Sequence, residues 1–283
     1  MERIIEIIEK KTLEIPGKDL EDKIGTFYHI AANLKQGRDD ITYLLKEELD
    51  ALYSKTDEII KIFEEKEISR IRKRLQDLFE AGADANPAVL KDKLQKIIEK
   101  EIVRGFDMFT QDIQKEISNN TREIIIRFLR RFNDNICEFK TALEILFEIP
   151  MDRFEYFVKQ TNKISFSCMM QEYTIAPDGE FTFVLRLSLP KSISMKLVLY
   201  EMIDRMGTVV NQNCNQIRHD LRGWIHTTIE HYSQQIKGVE NLLVAQIEQA
   251  VQKGQERRET DSTSVKVNLA AISADTAKNP LKI

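Results

Sequence analysis

Apolar residues recur along most of this chain in steps of three and four, the spacing that gathers them on one side of an α-helix. Ile4, Ile5, Ile7 and Ile8 open the pattern and predict a short amphipathic helix. It stops before Pro16-Gly17, because proline forbids helical continuation and glycine readily leaves helical space. A second series, through Ile24, Phe27, Ala31, Leu34, Ile41, Leu45, Leu49, Leu52, Ile60 and Leu75, predicts one long helix over 19–80 with a kink near Gly37. "AGADANP" at 81–87 is a turn cluster, with Asn86 placed to cap the next helix and Pro87 at its first position. Leu94, Ile98, Ile102, Phe106, Ile113, Ile117, Phe128, Phe132, Ile136, Phe139, Leu143 and Phe147 carry that helix over 88–147, with Asn119-Asn120 as a point for a bend. A last series, from Met195 through Met202, Met206, Val210, Ile217, Leu221, Trp224, Tyr232, Ile236 and Leu243 to Ile247, predicts a helix over 192–254 capped by Ser192. The pattern fades near Gly254, and the Ser-, Thr-, Asp- and Ala-rich tail over 256–283 reads as disordered.

One stretch breaks the period. "FTFVLRLSL" at 181–189 alternates with the period of a strand, and "APDG" before it suits a tight turn after "ISFSCMMQEYTI". The expectation is a β-hairpin inside an insert spanning about 148–191, with Phe181, Phe183, Leu185, Leu187 and Leu189 on one face. A two-stranded hairpin is marginal alone, so that face needs a cover: the end of the bundle, or a membrane or partner.

The three long segments are each about sixty residues, roughly 90 Å as helix at 1.5 Å per residue. Matched lengths suit helices that cover one another's stripes along their whole length. The predicted fold is all-α: an elongated antiparallel bundle of three long helices plus a short N-terminal helix, a stalk over 1–255 with the hairpin tip at one end. The first helix is too short to be a full fourth member, which leaves part of a groove open.

Composition agrees. Ten glycines and six prolines in 283 residues are few, and 31% of residues are charged, as in long helices. A net charge of −4 argues against nucleic acid as a partner. Cys137, Cys168 and Cys214 are odd in number and far apart, which suggests neither a disulfide framework nor a zinc ribbon and fits a reducing cytoplasm. The sequence shows no signal peptide and no uncharged apolar run long enough to span a bilayer.

Chemistry is hard to find. There is no GxxxxGK[ST] or GxGxxG to hold phosphates, and no HExxH or GxSxG. His219, His226 and His231 share the last helix at steps of seven and five, which do not bring two imidazoles to one metal as a step of four does. The run "EEKEISRIRKR" at 64–74 mixes signs at helical spacing and reads as a solvated face. No catalytic, cofactor-binding or metal-binding residue is expected, and the chain reads as a non-enzyme.

One polar cluster stands out. "NQNCNQIRHDLRGW" at 211–224 places Asn213, Ile217 and Asp220 on neighbouring turns of an apolar stripe, where polar groups need partners and fix the register of packed helices. Leu189-Pro190, a stretch of amphipathic helix and then Asn213, Cys214, Arg218, Asp220 and Leu221 resemble the C-terminal stalk of bacterial dynamin-like GTPases. Asn215 stands where that family often has glycine, and the specific likeness covers about 180–240.

The resemblance implies a stalk between a GTPase domain, absent from this chain, and a membrane-facing tip. It is compatible with a truncated piece, half of a split gene, or a standalone stalk. The leading expectation is a non-catalytic stalk that self-associates or pairs with a dynamin-like GTPase. Such a stalk is cytoplasmic and sits peripherally at the inner face of an anionic membrane, touching it through 147–190. The contacts are Phe154, Phe157, Phe181 and Phe183, with Lys159, Lys163, Lys191 and Lys196 for headgroups, and Asn213, Arg218 and Asp220 are structural. The rival is a soluble coiled-coil scaffold that receives another protein's helix and needs no lipid.

Overall fold

In a computed structural model, residues 2–81, 86–148, 165–168 and 190–278 are described, those at 2–5, 87–88 and 261–278 by their backbone alone. The order is α1 (Glu2–Glu14), α2 (Gly17–Ala81), α3 (Pro87–Phe147) and α4 (Lys191–Lys278), so the fold is all-α. Among the described residues there is no strand. The expected hairpin lies outside them except for 165–168, which have no regular secondary structure.

The boundaries have local causes. α1 and α2 are separated by Ile15 and Pro16, and the Pro16 carbonyl accepts the first bond of α2 from the Leu20 amide at 2.9 Å. Pro87 opens α3 as expected, and the Asn86 carbonyl accepts from the Leu90 amide at 2.9 Å. At the other end of α3, Glu148 takes a left-handed φ of 57°, the usual way a helix is stopped. Lys23 closes that end, donating to the Leu146 carbonyl at 2.6 Å and pairing with Glu148 at 3.3 Å. α4 begins one residue earlier than expected. The Pro190 carbonyl accepts from the amides of Ile193 and Ser194, so Pro190 is the cap and Ser192 lies in the first turn.

The far end of α4 differs more. The helix passes Gly254 and continues to Lys278, where the sequence pattern ends it near Gly254 with a disordered tail. Gly254 is a packing position: a Cβ there would come 2.6 Å from the Thr12 Cβ of α1. Glycine lets the two helices approach, and no proline follows until Pro280. Gly37, the expected kink, likewise faces the Asn135 side chain inside a continuous α2.

The chain divides into two compact units. Unit 1 takes Met1–Leu44, Ile126–Thr161 and Glu230–Ile283; its buried side chains include Ile8, Phe27, Leu34, Phe132, Leu143 and Leu243. Here α1 lies on α4, with Glu9 paired to Lys253 and Arg257, and the Ile15 carbonyl accepting from Arg258 at 2.7 Å. Unit 2 takes Leu45–Ile125 and Asn162–Ile229; Leu49, Ile71, Leu94, Phe106, Met206 and Leu221 are among its buried side chains. Its aromatic cluster stacks Phe63 on Phe109, ring centroids 3.9 Å apart, with Phe106 edge-on to Phe63.

Helix directions correct one expectation. In unit 1, Lys23 meets Leu146 and Gly37 meets Asn135, while Gly17 meets Arg258 and Arg38 meets Glu240. In unit 2, Glu67 meets Gly105, Arg70 meets Glu101, and Asp57 and Glu64 meet Arg218. α2 is therefore antiparallel to both α3 and α4, and α3 and α4 run parallel. α3 ends in unit 1 and α4 begins in unit 2, so the connection between them is a crossover from one unit to the other, and the bundle is not antiparallel throughout; the tip expected within that connection lies outside the described residues except for 165–168.

Candidate functional site

The polar cluster on α4 has its partners on α2. Arg218 lies at the edge of the buried stripe, and its guanidinium donates from Nε to Asp57 Oδ1 at 2.7 Å. The other two nitrogens reach Glu64 Oε2 at 3.1 Å and Asn215 Oδ1 at 2.9 Å. Asn215 donates onward to Asn211 Oδ1 at 2.8 Å, and Asn211 donates to Glu64 Oε1 at 2.7 Å. The result is a closed ring through Glu64, Asn211, Asn215 and Arg218, with Asp57 outside it. Asn215, the residue that departs from the dynamin-like pattern, is the relay that closes the ring. Burial works against the Arg218 charge, but the bonds and charges of Asp57 and Glu64 outweigh it and push its pKa up.

The other expected cluster residues do different things. Asn213 is buried, yet its Nδ2 donates to the Val209 carbonyl of its own helix at 3.1 Å. Register between the helices is held by Asn211 and Arg218, whose bonds cross to α2. Asp220 is half-buried and accepts from Gln216 at 2.7 Å, again within α4. Cys214 is fully buried, and burial foremost, with Glu64 nearby, pushes its thiol up to about 12. A thiol held that high is a packing group and not a nucleophile at neutral pH.

Beside this cluster residues 165–168 dock on α3 and α4, which the sequence pattern does not reveal. The Phe166 amide donates to Ser118 Oγ at 2.9 Å, and its ring lies 5.4 Å from that of Trp224, the single tryptophan. Gln114 Nε2 donates to the Cys168 carbonyl at 3.1 Å and reaches its sulfur at 3.3 Å. Ser118 and Gln114 sit one turn apart, and that pairing beside a lone tryptophan is the signal that was there to be found.

Buried charges at stripe positions were also missed. Glu67 is 5% exposed, lies against Gly105, and pairs with Arg70, which also pairs with Glu101. Hydrogen bonding to Arg70, foremost, holds the Glu101 carboxyl below its ordinary value against the opposing effect of burial. In unit 1, Arg38 and Glu240 form an ion pair at 8% and 4% exposure, and burial pushes Glu240 up despite Arg38. Their spacing from Leu34 to Ile41 and from Ile236 to Leu243 put both on the apolar stripe, which was the signal available.

Of the expected membrane contacts, Phe154, Phe157, Phe181, Phe183, Lys159 and Lys163 lie outside the described residues, while Lys191 and Lys196 are exposed on the first turns of α4. Among the described residues no group of His, Cys, Asp and Glu is arranged to hold a metal ion, and no helix is long and apolar enough to cross a membrane. A groove of about 800 Å³ runs between α2 and α4 of unit 2, with Ile68, Arg72, Tyr200, Ile203 and Gly207 in its lining. No protein-family model, curated protein or solved structure matches the chain.

Proposed function

We propose that the chain is a non-catalytic helical stalk of bacterial dynamin-like type. It self-associates or pairs with a GTPase domain carried elsewhere, and it works peripherally at the cytoplasmic face of an anionic membrane. What supports this reading is the polar ring. Of the residues on which the resemblance rests, Arg218 ties α4 to α2, Asn213 and Asp220 bond within α4, and Cys214 and Leu221 are buried. Side chains used in this way do the work of a stalk, which is to hold long helices in fixed register. The hairpin and the contacts at Phe154, Phe157, Phe181 and Phe183 belong to the same proposal.

Sedimentation velocity over a range of concentrations, with and without a dynamin-like GTPase, tests it: growth into larger species or a mixed complex is expected. A monomer throughout that leaves the GTPase's turnover unchanged refutes it, and so does tight GTP binding by the chain alone. The α2–α4 groove favours a second reading, a soluble scaffold that seats a partner's amphipathic helix along Ile68, Tyr200 and Ile203.

A further inference from the structure

Charge is unevenly spread in unit 2. The Arg70–Glu101 pair sets the last turns of α2 beside the first turns of α3, and the α2–α4 groove sets Arg72 and Gln76 beside Tyr200 and Ile203. These helix ends, residues 70–81, 86–104 and 190–200, hold eleven Lys and Arg against five Asp and Glu, a net +6 in a chain whose net charge is −4. Arg72, Lys73, Lys93, Lys96, Lys100 and Lys196 are all exposed there. The run at 64–74 is thus only partly a self-neutralised face. Arg70 is engaged by Glu67 and Glu101, while the bases after it add to an excess shared by three helices.

The same end exposes apolar side chains. Ile193, Leu197 and Tyr200 follow one another at steps of four and three on one face of α4 and are 49%, 39% and 75% exposed. Val89, at the start of α3, is 62% exposed. Exposed aliphatic residues at the same helix ends as these lysines and arginines, with a tyrosine among them, match the layering of a bilayer surface. The aliphatics enter the acyl boundary, tyrosine sits at headgroup depth, and the cations meet anionic headgroups. A nucleic-acid surface would use the cations and stack bases on aromatic rings, leaving the aliphatic stripe without a role.

We infer that the end of unit 2 where α2 finishes and α3 and α4 begin is the surface by which the chain lies on an anionic bilayer. The inference rests on the membrane part of the proposed function. It places the contact on 70–81, 86–104 and 190–200 and not on the phenylalanines expected within 147–190.

The test is co-sedimentation of the full chain with phosphatidylcholine vesicles, with and without phosphatidylglycerol. Binding is expected only with phosphatidylglycerol, and it weakens as salt rises. Replacing Lys73, Lys93 and Lys96 together by Gln weakens partition on the order of a hundredfold, at about fivefold for each lost contact. Leu197→Ser with Tyr200→Ser weakens it too, without changing the salt dependence. Replacing Lys46, Lys55 and Lys61 by Gln removes the same charge from exposed positions elsewhere in unit 2 and leaves binding unchanged. Circular dichroism confirms that each variant is helical.

Three results overturn the inference. One is a wild type that ignores phosphatidylglycerol. Another is loss of binding in Phe154→Glu and Phe181→Glu variants but not in the lysine variant, which would leave the membrane part of the proposed function standing. The last is lysine-dependent binding to duplex DNA without binding to vesicles. Failure of the stalk reading itself shows separately, in sedimentation velocity.

Discussion

Replacing Arg218 by Met opens the ring between α2 and α4 while keeping most of the aliphatic stem that packs along the helix. Two carboxylates then lose their counter-charge, and their exposure decides the size of the effect. Asp57 is 44% exposed, so its share is that of a surface pair, about 0.5 kcal/mol. Glu64 is 14% exposed and keeps only the Asn211 amide, so losing a charged hydrogen bond there costs about 1.5–3 kcal/mol. The total is about 2–3.5 kcal/mol from unit 2. Trp224 is the only tryptophan and sits in that unit beside Phe166, so its fluorescence during urea unfolding reports the loss. Glu64→Gln, which keeps the Asn211 bond, and the double variant complete a cycle whose coupling should be about 1 kcal/mol or more. A single-variant change under about 0.5 kcal/mol, or no coupling, would show that the ring does not hold the helices in register.

Gly254→Ala forces the Thr12 contact apart and should release α1 from α4 at a net cost of about 1–3 kcal/mol, read as faster amide exchange in residues 6–14; unchanged exchange would refute the packing role. A disulfide reagent at pH 8 should label exposed Cys137 quickly and Cys214 only as the protein opens, because a thiol near 12 is about one part in ten thousand thiolate at that pH; fast labelling of Cys214 in the folded state would contradict its burial. Glu101 has a folded pKa below its ordinary 4.5, so its contribution is present above 4.5 and lost as pH falls through the folded value. In Glu101→Gln the acid limb of the stability profile should therefore be shallower than in the wild type, and an unchanged limb would remove Glu101 from the cause.

The helices were legible because each apolar stripe continues without interruption, and Pro16, Asn86 and Pro87 mark boundaries that the structure keeps. Direction was not. Periodicity gives a helix its buried face but not the way it points, and the stretch 148–190 is long enough either to turn back or to cross over. Gly254 misled because a glycine that ends a helix and one that admits a neighbour look the same until Thr12 is beside it. Glu67 is buried although it lies in the run read as a solvated face, and Arg38 and Glu240 are buried in the stripe too; a buried charge is recognisable only once its partner is known. Arg218 stood out in the sequence, but the residues it bonds, Asp57 and Glu64, lie 161 and 154 positions away, beyond the reach of local spacing.

The crossover between α3 and α4 has a consequence for how fast the protein folds. α2 and α3 are joined by only a few residues, with Arg70 and Glu101 31 positions apart, whereas the hydrogen bonds between α2 and α4 join residues 147 to 202 positions apart. Pairs so distant are slow to find each other, because the intervening chain must surrender its freedom before any contact rewards it. The α2–α3 hairpin should form early and α4 should join late. Phe166, held by Ser118 and Trp224 within the crossover, divides one long closure into two shorter ones. Its bond to Ser118 belongs to a part of the chain already assembled when α4 arrives, so the crossover sets a kinetic order as well as a topology.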